Sequence, residues 1–110
     1  MKQIVDLQRD HRFGPSGIDV LSIGIETPKQ WADEDAKRGI TLPTLSDPGA
    51  KVARSYGVMR WAMGDMPGHT FVLVGADGRI RWIQDYGQAE NGGLMYVDVP
   101  KIYDQVASHL

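Results

Sequence analysis

The sequence predicts an α/β domain, and three features carry that reading. GIDVLSIGIET places Ile18, Val20, Leu21, Ile23 and Ile25 on both faces of a strand, the pattern of a strand covered on both sides in a parallel sheet. Two later segments open with a capping residue followed by proline, Thr27-Pro28 and Asp47-Pro48, as helices that follow strands do. TFVLV and RIRWIQ, joined by a turn containing Ala76-Asp77-Gly78, form a hairpin signal.

The elements follow in order. MKQIVDLQRDHRF sets Met1, Ile4 and Val5 on one helical face, and Gly-Pro-Ser-Gly at 14–17 stops that helix. The strand spans Asp19–Ile25. In the next helix Thr27 caps, Pro28 takes the first helical position and Gln30 completes a capping box, with Trp31, Ala32 and Ala36 facing inward and Gly39 ending it. TLPTLSDP reads as a connection. The helix opened by Asp47 and Pro48 runs to about Tyr56, with Val52 and Tyr56 on one face and Gly57 as its stop. RWAMGDMPG at 60–68 is a loop. Thr70–Val74 pairs with Arg79–Gln84, with Gly78 at a turn position that needs positive φ. YGQAENGGLMY is a surface loop. A last helix from Pro100 to Leu110 presents Ile102, Val106 and Leu110 at helical spacing, supported by Tyr103 and Ala107. The order is helix, strand, helix, helix, strand, strand, helix. A parallel crossover into the first strand would need a leading strand that is not written.

At 110 residues, with 42% hydrophobic and 24% charged residues, the chain has the size and composition of one globular domain, 1–110. Its net charge of −2, with no Lys or Arg run, argues against nucleic acid and acidic membranes as partners. No apolar run reaches the length of a membrane span or a signal peptide, so a soluble, cytoplasmic protein is expected. Zero cysteines exclude thiol chemistry and thiolate metal sites carried by this chain alone.

VLSIGIETPKQW, LPTLSDPGAKVARSYGV and PGHTFVLVGADGRIRW, in that order, resemble the peroxiredoxin form of the thioredoxin-like fold, the alkyl hydroperoxide reductase and thiol-specific antioxidant family. The resemblance covers residues 1 to 86 and reaches the closing helix by position. It implies reduction of peroxides or disulfides by a cysteine thiolate, recharged by a thiol reductant. In that family a central strand leads to the cysteine at the N-terminus of the first helix, where free N–H groups and the helix dipole favour thiolate. MKQIVDLQRD resembles the body of that helix. The resemblance therefore implies that the first central strand and the cysteine lie upstream, that the chain is catalytically silent alone, and that its sheet has an unfilled slot. A second copy or a strand-donating partner is the other way to fill it.

By the same resemblance, Pro67, Gly68, His69 and Thr70 form the loop beside the thiol. Many peroxiredoxins have arginine where this chain has Gly68, and thioredoxin-like relatives place a cis-proline near Pro67; cis and trans are both open here. His69 reads either as a group that orients a nucleophile or proton, or as a polar residue filling the start of a strand. Other candidates reduce to structure. Asp33, Glu34 and Asp35 splay around a helix and cannot converge on a metal. Trp31, Trp61 and Trp82 suit core or rim. His11, Arg9 and Arg12 are surface charges, and Gly92-Gly93 matches no phosphate loop. No cofactor and no metal are expected.

Overall fold

The computed structural model describes residues 1–14 and 17–110, so Pro15 and Ser16 of the expected helix stop lie outside the described residues. Helix α1 is Lys2–Arg9, strand β1 Ser22–Gly24, helix α2 Pro28–Arg38, strand β2 Thr44–Ser46, helix α3 Lys51–Ser55, strands β3 Thr70–Val74 and β4 Ile80–Asp85, and helix α4 Val99–Ala107. Short 3-10 turns occupy Pro48–Ala50, Val58–Trp61 and Ala89–Asn91.

The hairpin is the centre of the packing. β3 and β4 pair antiparallel with Val72 opposite Ile83 and Leu73 opposite Trp82. Alternation along a strand then sends these two pairs to opposite faces. Leu73 and Trp82 join Ile4 and Leu7 of α1, Ile102 and Val106 of α4, Trp31, Phe13 and Val97 in the larger core. Val72 and Ile83 pack on Ala50, Ala53 and Val58. Helices thus cover both faces of the hairpin, the layering of an α/β fold. Each fully buried Leu, Ile or Val side chain contributes about 1.5–3 kcal/mol, so the α1 and α4 stripes suffice to seat those helices.

The strand order corrects the sequence reading. Thr44–Ser46, expected as connection, is β2, paired parallel with β1 through Ile23 opposite Leu45. The three residues Thr44–Ser46 are too few to show a period of two, so only pairing reveals the strand. β1 itself is Ser22–Gly24, shorter than Asp19–Ile25. It is not covered on both faces: Leu21 is 54% and Ile23 39% exposed. α2 takes the other face, where Thr44 Oγ1 donates to Asp35 Oδ2 at 2.6 Å and the Trp31 indole N–H donates to the Leu45 carbonyl at 3.0 Å.

The α2 capping box forms as expected, with Thr27 N–H donating to Gln30 Oε1 at 2.8 Å and Gln30 N–H donating to Thr27 Oγ1 at 3.1 Å. Gly39 ends the helix at φ +66°. Ala32 and Ala36, however, are exposed, because the helix rests on a sheet only two strands wide and needs little more than Trp31 to do so. The next helix is also altered. Gly49 at φ +73° and Ala50 at φ +56° break it after one turn, and Asp47 reaches over the break to accept the N–H groups of Val52 and Ala53 at 3.0 and 3.1 Å. That rotation buries Ala53 and leaves Val52 and Tyr56 exposed. At the C-terminus α4 ends at Ala107, so Ile102 and Val106 are buried while Leu110 and Ala107 are exposed. The expected surface loop after β4 contains a buried residue, Tyr86, whose ring meets Phe71 edge-on at 5.8 Å.

Gly78 has φ +81° with no atom near an added Cβ, so the strain of a side chain there is conformational alone. Gly78→Val is expected to lower stability by at least about 1 kcal/mol. An unchanged urea midpoint would refute the turn geometry.

Candidate functional site

The Pro67–Thr70 loop leads into β3 beside the free edge of β1, and the two enclose a cleft. It has a volume of about 180 Å³ and is lined by Ser22–Glu26, Trp31 and Met66–Gly68. Four contacts place the loop. His69 accepts at its carbonyl from Tyr86 N–H at 2.8 Å. Thr70 Oγ1 donates to Asp85 Oδ1 at 3.0 Å. His69 Nε2 lies 3.0 Å from Gln3 Oε1, which fixes the proton on Nε2, because an amide oxygen only accepts. The His69 ring meets Phe71 edge-on at 5.2 Å. Among the described residues no peptide bond is cis, so Pro67 is trans.

Two residues that the sequence did not reveal hold this arrangement. Asp85 is 1% exposed and accepts from Thr70, from Gln88 N–H at 3.0 Å and from Asn91 Nδ2 at 2.9 Å. Burial pushes its carboxyl up, but the hydrogen bonds from Asn91, Gln88, Thr70 and Gly87 outweigh it and hold the group below the ordinary carboxylate value. Gln88 extends the network by donating to the Trp61 carbonyl at 2.9 Å, tying the start of the loop to the end of the hairpin. Gln3 works from α1: its side chain donates to the Val97 carbonyl at 3.0 Å and accepts Val97 N–H at 2.8 Å, completing that backbone unit as a neighbouring strand would. The signal for Asp85 lay in its spacing, a strand-terminal Asp three residues before the N–H it caps. Gln3 offered none, since its partners are distant in sequence.

Gly68 is required by space. A Cβ there would run into the Trp61 carbonyl oxygen and meet Asp85 Oδ1 at 3.2 Å. Position 68 therefore has no room for a side chain in this loop. The remaining candidates stay apart from the cleft or join the core. Glu34 pairs with Arg38 at 2.6 Å, and Asp35 binds Thr44. Trp31 and Trp82 are buried and Trp61 is half-buried. Among the described residues no three His, Asp or Glu side chains cluster as metal ligands.

The family model AhpC/TSA matches residues 1–83. The chain belongs to the AhpC/TSA family. This agrees with the peroxiredoxin resemblance of the sequence, and the mixed α/β architecture of this AhpC/TSA chain is compatible with a thioredoxin-like domain. None of the curated proteins compared with it matches. No helix among the described residues is long and apolar enough to cross a membrane. The family's chemistry needs a thiolate, and this chain contains no cysteine.

Two predictions follow from the loop contacts. Asp85→Ala leaves the donors of Thr70, Gln88 and Asn91 buried without an acceptor, and is expected to cost about 2–4 kcal/mol in urea unfolding. A loss within experimental error would show that the carboxylate does not organise the loop.

The second concerns acid. Burial, with a smaller push from the N-terminal ammonium, lowers His69 below its ordinary 6.5. The folded state then binds fewer protons than the unfolded one, so the contribution of neutral His69 is present above that value and lost as pH falls toward the folded pKa. Asp85 is also lowered from 3.8, and its contribution is intact above that value and lost as pH falls through the folded one. Stability is expected to fall in two stages on acidification, first below about pH 6.5 and again below about pH 4. His69→Gln removes only the first stage. Identical urea midpoints against pH for the variant and parent would reject the assignment.

Proposed function

We propose that this chain is the scaffold of a thiol-dependent domain that reduces peroxides or disulfides, with the thiolate and one sheet strand supplied by a segment outside the sequence given. The observation that carries the reading is the division of the sheet. β1 and β2 form one two-stranded sheet, and β3 and β4 another. Ser22 N–H donates to the Pro43 carbonyl and Asp47 N–H to the Gly24 carbonyl, so Ser22 and Gly24 point their backbone groups at β2. The groups of Ile23 then face the opposite edge. On β3 the His69 carbonyl accepts from β4's neighbour Tyr86, so Phe71 and Leu73 also face β4, and the groups of Thr70 and Val72 face away.

Neither free edge has a strand partner among the described residues, and the 180 Å³ cleft lies between β1 and the approach to β3. A strand inserted there would supply both edges. It would also bring its following turn toward the N-terminus of α1 and the Pro67–Thr70 loop. The first turn of α1 already touches that loop, since Gln3 Oε1 lies 3.0 Å from His69 Nε2. A thiol at that junction would meet the free N–H groups of α1, which favour thiolate. The peroxide, disulfide or reductant would approach over Pro67, Gly68 and His69. Without that thiol, neither peroxide nor disulfide reduction can begin, since both start with thiolate attack.

The second reading is a noncatalytic module whose free β1 and β3 edges take a strand from another chain, favoured by the same division of the sheet. The test compares the 110-residue chain with a version extended upstream by about 35 native residues, enough for a strand, its loop and the cysteine turn. The short chain is expected to show no steady peroxide consumption with a thioredoxin or glutathione reducing system. The long one is expected to turn over and to unfold at a higher temperature. A higher Tm without turnover supports the module. Turnover by the short chain, or equal cooperative unfolding of both as monomers, overturns the proposal.

A further inference from the structure

The loop before β3 contains a miniature hairpin that the redox reading leaves unused. Met63 N–H donates to the Met66 carbonyl at 2.8 Å, and Met66 N–H donates to the Met63 carbonyl at 3.2 Å. Of the two residues between them, Gly64 has φ +66° and Asp65 does not have a positive φ, the backbone signature of a type II′ turn. In a pair that exchanges both hydrogen bonds, the two side chains project to the same face from Cα atoms about 5.5 Å apart.

The turn therefore presents two thioether side chains from the same face. Both are in water: Met63 is 45% and Met66 51% exposed. Burial in a core, the usual use of methionine, does not account for them. Met66 also lines the cleft whose opposite wall carries Glu26, and Asp65 sits between the two sulfurs in sequence, so the surroundings carry negative charge. Thioether sulfur is a soft ligand that selects Cu(I) over Mg, Ca and other hard cations. The two hydrogen bonds of the turn already fix the backbone that carries both sulfurs, so only side-chain freedom is lost on closing around one ion.

We propose that Met63 and Met66 form a two-thioether binding site for Cu(I). The step is coordination alone: two S–Cu(I) bonds form, the ion's solvent or carrier ligands leave, and the oxidation state does not change. Thioethers have no proton to release, so this binding is independent of pH where a histidine or thiol site would weaken on acidification. Both ligands come from the turn itself, so in the 110-residue chain the site does not depend on the redox reading.

Ag(I), which matches Cu(I) in charge and softness and stays monovalent in air, is the probe. Protein labelled with ¹³C at the methionine methyls is titrated with silver nitrate in chloride-free buffer. The Met63 and Met66 methyl signals are expected to move together and saturate at one equivalent. They should do so at a concentration at least about tenfold below that which moves the more exposed Met95. Met63→Leu and Met66→Leu keep the side-chain size and are each expected to abolish that preference, whereas Met95→Leu leaves it intact. Apparent affinity is expected to be the same at about pH 5.5 and 7.5. Movement of Met95 at the same concentration, movement of one turn methionine without the other, or retention of the preference in Met66→Leu overturns the site. Because the wild-type comparison of methyl signals decides by itself, the result does not depend on how well a variant folds.

Discussion

The arrangement around the cleft depends on one buried charge. Asp85 is removed from water at the end of β4, and an isolated carboxylate there would be costly. It is tolerated because donors reach it from β3, from the backbone after β4 and from Asn91. Satisfying that one group fixes the start of β3 against the end of β4. Through Gln88 the network continues to the Trp61 carbonyl and ties the course of the 61–68 loop to the end of the hairpin. The close approach of Gly68 to Trp61 is a consequence of that course.

Backbone pairing explains the rest of the site. The hairpin is satisfied by its own second strand and by cores on both faces, and β1 is satisfied by β2. Each pair nevertheless leaves an edge where, among the described residues, the N–H and C=O groups of Ile23, Thr70 and Val72 have no strand to bond, and that of β1 lines the cleft. Gln3 shows in small how the fold answers such a need, since its side-chain amide bonds both backbone groups of Val97. A side chain can complete one residue in that way. Only another strand can complete an edge.

His69 illustrates how position and role separate. It is adjacent to the cleft, as its place in the sequence suggests, yet its ring is held by Gln3 and Phe71. Burial keeps it neutral more readily than a free histidine. In this arrangement its Nε2 proton is committed to α1, so it ties helix to loop and leaves Nδ1 as its remaining acceptor.

The sequence by itself determined the elements whose causes are local. The Thr27–Gln30 capping box, the glycine stops and the Gly78 turn rest on contacts within a few residues, and the apolar stripes at Ile4 and at Ile102 and Val106 follow from the helical period alone. The absence of cysteine, and with it of thiol chemistry in this chain, was equally legible. The tertiary structure alone decided which apolar positions were covered. Ala32, Ala36, Val52 and Tyr56 have helical spacing but no sheet or helix laid over them. It alone made Thr44–Ser46 a strand, because three residues become one only when β1 lies alongside. Gln3 acquires its role the same way, because its partners Val97 and His69 lie 94 and 66 residues away, whereas Asp85 joins local donors at Gln88 and Asn91 to one on the other strand, Thr70.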